Sequence, residues 1–382
     1  MKPSICIIGP AHPLRGGLAT FNERLARQFM QEGHDTEIYT FSLQYPSFLF
    51  PGTSQYSTEP APNDLKITEC INSISPINWL SIGYKLMKRK PDIIVVRFWI
   101  PFMGPCLGTI LRLVSQNKHT RIICIADNII PHEKRFGDKQ FTTYFLKPVH
   151  AFITMSSKVL SDLKLFNQKP ALQIKHPLYD NFGEQVDINV AKDFLHIDRS
   201  KHVVLFFGFI RKYKGLDLLF EAISILKQQN YFESNDIVFL IAGEFYDNQQ
   251  PYLDQINQFN IGSELILKNE FITDSEVKYY LSAADMVIQP YKSATQSGVT
   301  PLAYHFEKPM IVTNVGGLPD LVPNTIGLVA EPNAISIANT IIDFFKLDSS
   351  ELVQNIKKEK LKYSWDKVTQ SILELSNTTT KE

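Results

Sequence analysis

The stretch that decides the fold is YKSATQSGVTPLAYHFEKPMIVTNVGGLPDLV, residues 291–322. It opens with a turn of small residues at 293–298, called the small-residue turn below, and continues with a helical pattern at 299–306. A short apolar strand at 310–313 and a glycine pair at 316–317 follow. Small residues let a backbone approach a ligand closely, and the first amides of a helix lack partners within the helix. This order predicts an anion site, although a turn of this kind is also common as plain structure.

A second segment, GFIRKYKG at 208–215, places two cations where α/β proteins bind phosphates. It follows the apolar strand 202–207 and opens the amphipathic pattern 216–227. Arg211 and Lys214 therefore stand at the carboxyl end of a strand, the edge at which open α/β sheets bind ligands. Their charge-assisted hydrogen bonds would add to those of the helix amides. The alternative for an isolated run of this kind is a solvated basic loop.

A third segment, at the start of the chain, repeats the order of strand, glycine loop and helix. Strand 4–8 runs into the loop GPAHPLRGG at 9–17, then into a helical pattern at 18–31 and a strand at 36–41. The loop lacks the GxGxxG spacing, and no acidic residue closes the second strand to hold a ribose. A nicotinamide-dependent enzyme is therefore disfavoured.

Apolar strands alternate with helical patterns along the whole chain, which is typical of parallel sheets with crossover helices. At 382 residues, 44% of them hydrophobic, the chain can fill two cores. The polar segment 179–200 marks the change between two α/β domains. The region 46–65 has no periodicity and is expected to form a loop near the ligand edge.

Together these segments resemble the family 4 glycosyltransferases, which are retaining enzymes of the GT-B fold. The resemblance covers nearly the whole chain, and it rests on the order of LATFNERLARQF after the first glycine pair, LDLLFEAI after the cationic loop, IVFLIAGE, FITDSEVKYYLSAADMVIQPY, KPMIVTNVGGLPDLV and a late Ser-Trp pair. It implies two Rossmann-like domains whose parallel sheets face each other across a cleft. The implied acceptor domain is 1–180, the donor domain is 181–362, and a last helix at 363–378 packs back on the acceptor domain.

The resemblance implies transfer of a sugar from a nucleotide diphosphate sugar to a glycan or lipid-linked acceptor, with retention of anomeric configuration. The nucleotide sugar is the donor substrate, and no separate cofactor is expected. The candidate catalytic residues are Arg211, Lys214, Asp127 and His132. The candidate substrate-binding residues are Gly16, Gly17, Gly243, Phe271, Ile272, Thr295, Gln296, Ser297, Gly298 and Val299.

The chain departs from the family pattern at two glutamates. Counting back from Pro309, the family's pair falls on Ala294 and Leu302, neither of which accepts a hydrogen bond through its side chain. The polar residues left to contact the sugar are Thr295, Gln296 and Ser297. A catalytically silent GT-B protein that binds a nucleotide sugar or a partner enzyme is therefore the alternative function.

A second departure is the family's histidine at the end of a first-domain strand. Here the strand 122–127 ends in Asp127, and His132 lies in the next loop. Either residue could take the place of that histidine. A lone loop histidine is, however, more often an ordinary surface residue.

Charge and cysteine content narrow the possible partners. The 39 basic and 39 acidic residues balance, so the overall charge gives no support for a nucleic-acid partner. No DxD triplet and no His or Cys pair with metal-ligand spacing occurs, so we expect no metal. Scattered cysteines and the absence of a signal-peptide pattern favour a cytoplasmic protein.

Two stretches invite a membrane interpretation. Residues 98–114 are apolar but are interrupted by proline and glycine and carry Arg112, so a buried crossover helix is favoured. Residues 79–90, WLSIGYKLMKRK, place aromatic and aliphatic residues before four basic ones, as in helices that lie on anionic lipid. Peripheral contact with the inner face of a membrane is thus one expectation, and a lysine-rich surface helix is the other.

Overall fold

The computed structural model describes residues 2–46, 54–131, 135–294 and 297–378. The chain forms two compact units. The first comprises the chain up to Pro177 together with the C-terminal segment from Ser364, and the second is Leu178–Tyr363.

Within the described residues, the first unit contains a seven-stranded parallel sheet in the order β3-β2-β1-β4-β5-β6-β7. Its strands are β1 Ile5–Ile8, β2 Thr36–Leu43, β3 Ile67–Asn72, β4 Ile93–Phe98, β5 Arg121–Ala126, β6 Ala151–Thr154 and β7 Ala171–Gln173. Its first five helices are α1 Gly17–Gln31, α2 Pro76–Arg89, α3 Gly104–Ser115, α4 Asp138–Leu146 and α5 Ser157–Lys164.

The second unit contains a six-stranded parallel sheet in its described part, in the order β10-β9-β8-β11-β12-β13. Its strands are β8 His202–Phe207, β9 Ile237–Ala242, β10 Leu265–Lys268, β11 Met286–Gln289, β12 Met310–Thr313 and β13 Gly327–Ala330. Its helices are α6 Ile188–Leu195, α7 Leu216–Gln228, α8 Gln250–Phe259, α9 Val277–Ala283, α10 Val299–His305, α11 Leu318–Leu321, α12 Ala334–Phe344 and α13 Ser349–Glu359.

The last helix, α14 Trp365–Thr378, belongs to the first unit. Its Trp365 ring packs on Phe21 of α1, with the ring centroids 4.8 Å apart. Thr369 Oγ1 donates a hydrogen bond to Glu32 over 2.6 Å. The helix is thus fixed to α1 by an aromatic contact and a polar one.

Burial explains which strands the sequence reveals. Every residue of β4 and of β9 is buried, so β9 reads as a continuous apolar run and β4 as an apolar run that only Arg97 interrupts. The sequence did not predict β3 and β7, because these two strands lie at the sheet edges and are only partly buried. Their mixed composition hides them.

The apolar stretch 98–114 folds mainly into α3, whose Leu107, Ile110 and Leu111 are fully buried in the first core. The buried crossover helix is therefore the correct interpretation. In the part of the chain that the structure describes, no helix is both long and apolar enough to cross a bilayer.

Three glycines hold the loops at the carboxyl edge of the second sheet against each other. A Cβ on Gly215 would lie 1.9 Å from the Pro290 carbonyl oxygen, and one on Gly316 would lie 1.9 Å from that of Ala294. A Cβ on Gly243 would lie 2.1 Å from the Gly208 carbonyl oxygen. All three positions also have positive φ, at 68°, 56° and 150°. No other residue type fits these contacts without moving backbone.

We expect Gly215→Ala and Gly316→Ala each to lower the melting temperature clearly. A Cβ in the left-handed region costs about 1–2 kcal/mol, and overpacking adds about 1–3 kcal/mol. For a unit of this size, a loss of about 2 kcal/mol lowers Tm by roughly 4–8 °C. Thermal unfolding followed by circular dichroism measures the shift.

The matched control is Gly262→Ala, because a Cβ there has only Ile256 nearby, at 3.9 Å. This variant should melt within about 2 °C of the wild type, as surface changes of under 0.5 kcal/mol do. Equal losses in all three variants would show that the close backbone contacts do not govern stability.

Candidate functional site

Lys214 lies in the loop after β8, at the carboxyl edge of the second sheet. The residue is 9% exposed, and a Cβ on Gly208 would lie 3.2 Å from its Nζ. The same Nζ is 5.7 Å from the centroid of the Tyr291 ring. Burial, and secondarily the charge of Arg211, lower the pKa of Lys214 to about 8. The fold thus holds a cation where charge is disfavoured until an anion approaches.

Arg211, in the same loop, stands beside a group of aromatic rings. Its guanidinium carbon is 5.1 Å from the centroid of the Tyr246 ring. Phe209 packs on Tyr246 at 4.2 Å between centroids and stacks with Phe271 at 6.1 Å. Phe209 follows β8, Tyr246 follows β9 and Phe271 follows β10, so the three rings share one edge of the sheet. An aromatic surface beside two cations suits a ligand that carries both a ring and phosphates.

Gly243 and Ile272 lie at the same edge. Gly243 directly follows β9, and its amide donates to the Lys268 carbonyl over 3.0 Å. Ile272 comes after β10 and is 6% exposed. The structure thus brings the second-unit candidates Arg211, Lys214, Gly243, Phe271 and Ile272 to the carboxyl edge of the second sheet.

The small-residue turn is tied to the cationic loop and to the sheet. The Lys292 amide donates to the Tyr213 carbonyl over 2.7 Å. Ser297 Oγ donates to Gln289 Oε1 over 2.6 Å, and the Val299 amide donates to Ser297 Oγ over 3.2 Å. The Ser297 hydroxyl therefore supports the turn, which leaves its backbone amide as its means of contacting a ligand.

The other predicted ligand contacts of the small-residue turn are Thr295, Gln296 and Gly298. Thr295 and Gln296, the expected sugar contacts, lie outside the described residues. At Gly298 φ is −71°, and a Cβ would lie 3.5 Å from Tyr179 Cε2, which is ordinary contact. The backbone at position 298 therefore accepts alanine.

The two positions that carry glutamates in the resembling family offer no hydrogen-bonding side chain. Leu302 in α10 is 4% exposed, so its side chain belongs to the core. Ala294 is partly buried, and its carbonyl meets Gly316. Neither position is arranged to hold a ribose or a sugar through a side chain.

Gly16 and Gly17 form the N-terminus of α1, at the carboxyl edge of the first sheet. Gly16 has φ 98° and ψ 170°, a region that residues with a Cβ avoid. The loop before it is held by an antiparallel bridge between Leu14 and Tyr56. The described part of the region 46–65 thus lies against the glycine loop.

Asp127 follows β5 and is held by Arg97 of β4. Arg97 Nε and Nη2 donate to the two carboxylate oxygens, each over 2.7 Å. The guanidinium carbon is 3.9 Å from the centroid of the Phe21 ring, and Arg97 is 3% exposed. Because both oxygens accept from Arg97, the carboxylate neutralises a buried cation. The other catalytic candidate of this unit, His132, lies outside the described residues.

A buried histidine that the sequence did not reveal lies near this pair. The ring Nδ1 of His176 donates to the Pro177 carbonyl over 2.7 Å, and the ring meets Phe21 edge-on at 5.5 Å. Burial first, and the charge of Arg97 after it, lower the pKa of His176 to about 4. The ring is therefore neutral at pH 7 and adds no second positive charge beside Arg97.

Arg97, Gln289, Phe209 and Tyr246 were not among the residues expected from sequence. A signal existed for the first two: Arg97 interrupts the run IIVVRF and Gln289 ends MVIQ, and a polar side chain in a buried strand needs a partner. Phe209 and Tyr246 gave no signal, because aromatic residues in loops are common. Over the described ranges, no group of three or more His, Cys, Asp or Glu side chains could hold a metal ion.

Residues 187–363 match the family model described as glycosyl transferases group 1. Two uncharacterised glycosyltransferases of Methanocaldococcus jannaschii are similar in sequence. One is 23% identical over 375 residues, covering 92% of each chain. The other is 24% identical over 308 residues, covering 78% of this chain and 79% of its own.

Solved structures show the fold. Sucrose-phosphate synthase from Thermosynechococcus elongatus superimposes with a TM-score of 0.74 at 14% identity, covering 98% of both chains. Anabaena HepE in complex with UDP and glucose gives 0.71 at 14%, covering 97% of this chain and 98% of its own. Arabidopsis thaliana starch synthase IV, bound to ADP and acarbose, gives 0.68 at 13%, covering 99% of both. The predicted GT-B fold of two parallel-sheet α/β domains is confirmed, and the comparisons together support a glycosyltransferase.

We expect Asp127→Leu to destabilise the first unit strongly, because it leaves Arg97 buried without a counter-charge. Breaking a buried pair costs about 3–5 kcal/mol, whereas replacing both partners by apolar residues is close to neutral. The double variant Arg97→Met/Asp127→Leu should therefore recover most of the lost melting temperature. If the double variant melts as low as Asp127→Leu, the ion pair is not what Asp127 contributes.

Lys214→Met should stabilise the protein at pH 7. Lys214 is charged there in both folded and unfolded chains, and a folded-state pKa of about 8 instead of 10.5 corresponds to a charge-burial cost of roughly 3 kcal/mol. The cost shrinks as pH rises from 8 to 10.5, because the folded chain loses its proton first. The variant should therefore melt higher than the wild type at pH 7, and this difference in Tm should become much smaller at pH 10. An equal difference in Tm at both pH values would contradict the burial cost assigned to Lys214.

Proposed function

We propose that the protein is a retaining glycosyltransferase that moves a sugar from a nucleotide diphosphate sugar to a glycan or lipid-linked acceptor without a metal ion. One observation carries the proposal: the segment matching the group 1 model holds Lys214 and Arg211 at an edge built by close glycine contacts. Lys214 is buried with a pKa lowered to about 8, and a buried cation of this kind at a ligand-binding edge is suited to an anionic ligand.

In this proposal, Arg211 and Lys214 stabilise the negative charge that develops on the departing nucleotide diphosphate. Their loop is fixed before the ligand arrives, because Gly215 packs on Pro290 and the Lys292 amide bonds to the Tyr213 carbonyl. Preorganised donors of this kind contribute about 2.7–4 kcal/mol each to the transition state.

The same edge offers places for the rest of the donor. The base would lie against Gly243 and the Phe271–Ile272 segment, with Phe209 and Tyr246 completing an apolar surface. Thr295 and Gln296 would contact the sugar, and the amides of residues 297–299 would contact the distal phosphate. Hydroxyl and amide groups can pair with sugar hydroxyls, but they stabilise positive charge at the anomeric carbon less than a carboxylate does.

The chemistry can proceed on one face of the sugar. The bond between the anomeric carbon and the phosphate oxygen breaks while the acceptor oxygen forms its bond on the same face. The departing phosphate takes the acceptor proton, so no protein carboxylate has to act as the base. This agrees with Asp127 being occupied by Arg97. His132 remains a candidate for contact with the acceptor.

A catalytically silent GT-B protein is the second candidate, and the burial of Leu302 favours it. A side chain in the core cannot replace a glutamate that holds the donor. Such a protein would still bind a nucleotide sugar through the cationic loop. Transfer or hydrolysis of any labelled donor would dispose of this candidate.

The test is a thermal-shift panel of UDP, GDP, ADP, their sugars and NAD. A nucleoside diphosphate at a hundred times its Kd should stabilise the protein by about 2.7 kcal/mol. The labelled sugar of the best donor is then offered to glycan and lipid-linked acceptors. Stabilisation by NAD alone would overturn the proposal in favour of a nicotinamide enzyme.

Arg211→Ala and Lys214→Ala should each lower kcat/KM for the selected donor by a hundredfold or more, in keeping with a loss of about 2.7–4 kcal/mol. Lys212→Ala is the matched control, because Lys212 is an exposed cation between the two. It should change kcat/KM by less than threefold, about 0.6 kcal/mol. Equal losses at all three positions would show a general basic patch.

A further inference from the structure

The outward face of α2 carries apolar side chains that the fold does not cover. Ile77, Leu80 and Tyr84 follow the helical spacing i, i+3, i+7 and are 82%, 52% and 55% exposed. Ile74, in the turn before the helix, is 51% exposed. Scattered single residues of this kind are normal on a surface, but four along one stripe form a patch that needs an explanation.

The opposite face anchors α2 firmly, so this exposure is not the result of a loosely packed helix. Ile82 and Leu86 are buried in the first core. A Cβ on Gly83 would lie 2.7 Å from Leu113 Cδ1, which shows how closely α2 crosses α3. Trp79, which the sequence placed with the interface residues, turns inward and donates from Nε1 to the Asn72 carbonyl over 2.7 Å.

The patch is continuous with positive charge. Residues 70–91 contain no Asp or Glu, and Lys88 and Lys90 are exposed. The Nζ of Lys85 instead lies 5.5 Å from the ring centroid of the buried Tyr39 in β2. Lys88 Nζ lies 5.4 Å from the Tyr84 ring centroid, so cation and apolar stripe meet. Arg89 instead pairs with Glu37 over 2.8 Å. In a chain with zero net charge, this segment is a local concentration of cations.

The position of the stripe matters as well. The strand β3 ends at Asn72, so Ile74 and Ile77 lie at the carboxyl edge of the first sheet, the edge that also carries Gly16 and Asp127. From Ile77 to Lys88 the helix advances about 16 Å at 1.5 Å per residue. The apolar end of the stripe is thus at the ligand edge, and the lysines are at the other end.

We propose that this face, formed by Ile74, Ile77, Leu80, Tyr84 and Lys88 with the exposed Lys90 at its end, docks on an anionic lipid bilayer with α2 lying in the membrane plane. The apolar side chains would enter the boundary between headgroups and acyl chains. The lysine stems would lie along that boundary while their ammonium groups meet anionic headgroups. A second copy of the chain fits less well, because a twofold contact pairs the face with itself and residues 70–91 offer no acidic side chain to its lysines.

The biological role of this surface, access to a lipid-linked acceptor, rests on the proposed transferase function. Binding to the bilayer does not, because it can be measured without turnover. Sedimentation with vesicles of phosphatidylcholine and phosphatidylglycerol in equal amounts measures binding. Ile77→Asp/Leu80→Asp removes the apolar side chains that would enter the boundary, and it should weaken binding at least tenfold. Lys88→Glu/Lys90→Glu should also weaken binding at least tenfold, since each surface cation contributes roughly a fivefold factor. Vesicles of phosphatidylcholine alone should bind the wild type at least tenfold more weakly.

Matched controls are Leu165→Asp, whose leucine is 76% exposed after α5, and Lys358→Glu, whose lysine is exposed on α13. Both should bind vesicles like the wild type. All variants should keep the wild-type affinity for the nucleoside diphosphate, which separates loss of the membrane surface from failure of the proposed function.

Equal binding to both kinds of vesicle, or equal losses in the controls, would overturn the proposal. If the wild type is a dimer in solution and Ile77→Asp/Leu80→Asp is a monomer, the proposal is overturned in favour of self-association.

Discussion

The approach of backbone to backbone at the carboxyl edge of the second sheet is the constraint on which the candidate site depends. Gly215, Gly243 and Gly316 each bring one loop within van der Waals contact of another loop's carbonyl, at a distance that a Cβ would prevent. Lys214 stands next to the first of these contacts, and the small-residue turn rests on the last. The main chain therefore positions the cation and the turn, and the Ser297 hydroxyl adds a side-chain bond to Gln289.

Most strands of this fold can be predicted from the sequence, and the two strands that were missed, β3 and β7, lack a clear apolar pattern. Strands buried on both faces, such as β4 and β9, give apolar runs that length and flanking glycines identify. The strands β3 and β7 lie at sheet edges, where half-exposed positions accept polar residues. An edge position alone does not hide a strand, since the edge strand β10 keeps the apolar run LIL and was predicted. The strands β3 and β7 were missed because polar residues interrupt the first and the second has only three residues.

The candidate site was predictable to the extent that chain order dictates it. A residue just after a parallel strand must lie at the carboxyl edge, which placed Arg211, Lys214 and Gly243 together before any coordinates. The pairing of Arg97 with Asp127 could not be predicted in the same way. The pairing depends on the register of β4 beside β5. A charged residue in an apolar strand indicates that it has a hydrogen-bonding partner, but it does not indicate which residue that partner is.

The glycine contacts also bear on how such a protein can change over generations. Since the frame of the carboxyl edge is made mainly of main chain, a side chain of the small-residue turn that makes no supporting bond can change without altering the frame. Replacing exposed Ser293 alters what the turn presents without disturbing the contact between Ala294 and Gly316. Selection can therefore vary what the turn presents while the frame of close backbone contacts is inherited intact.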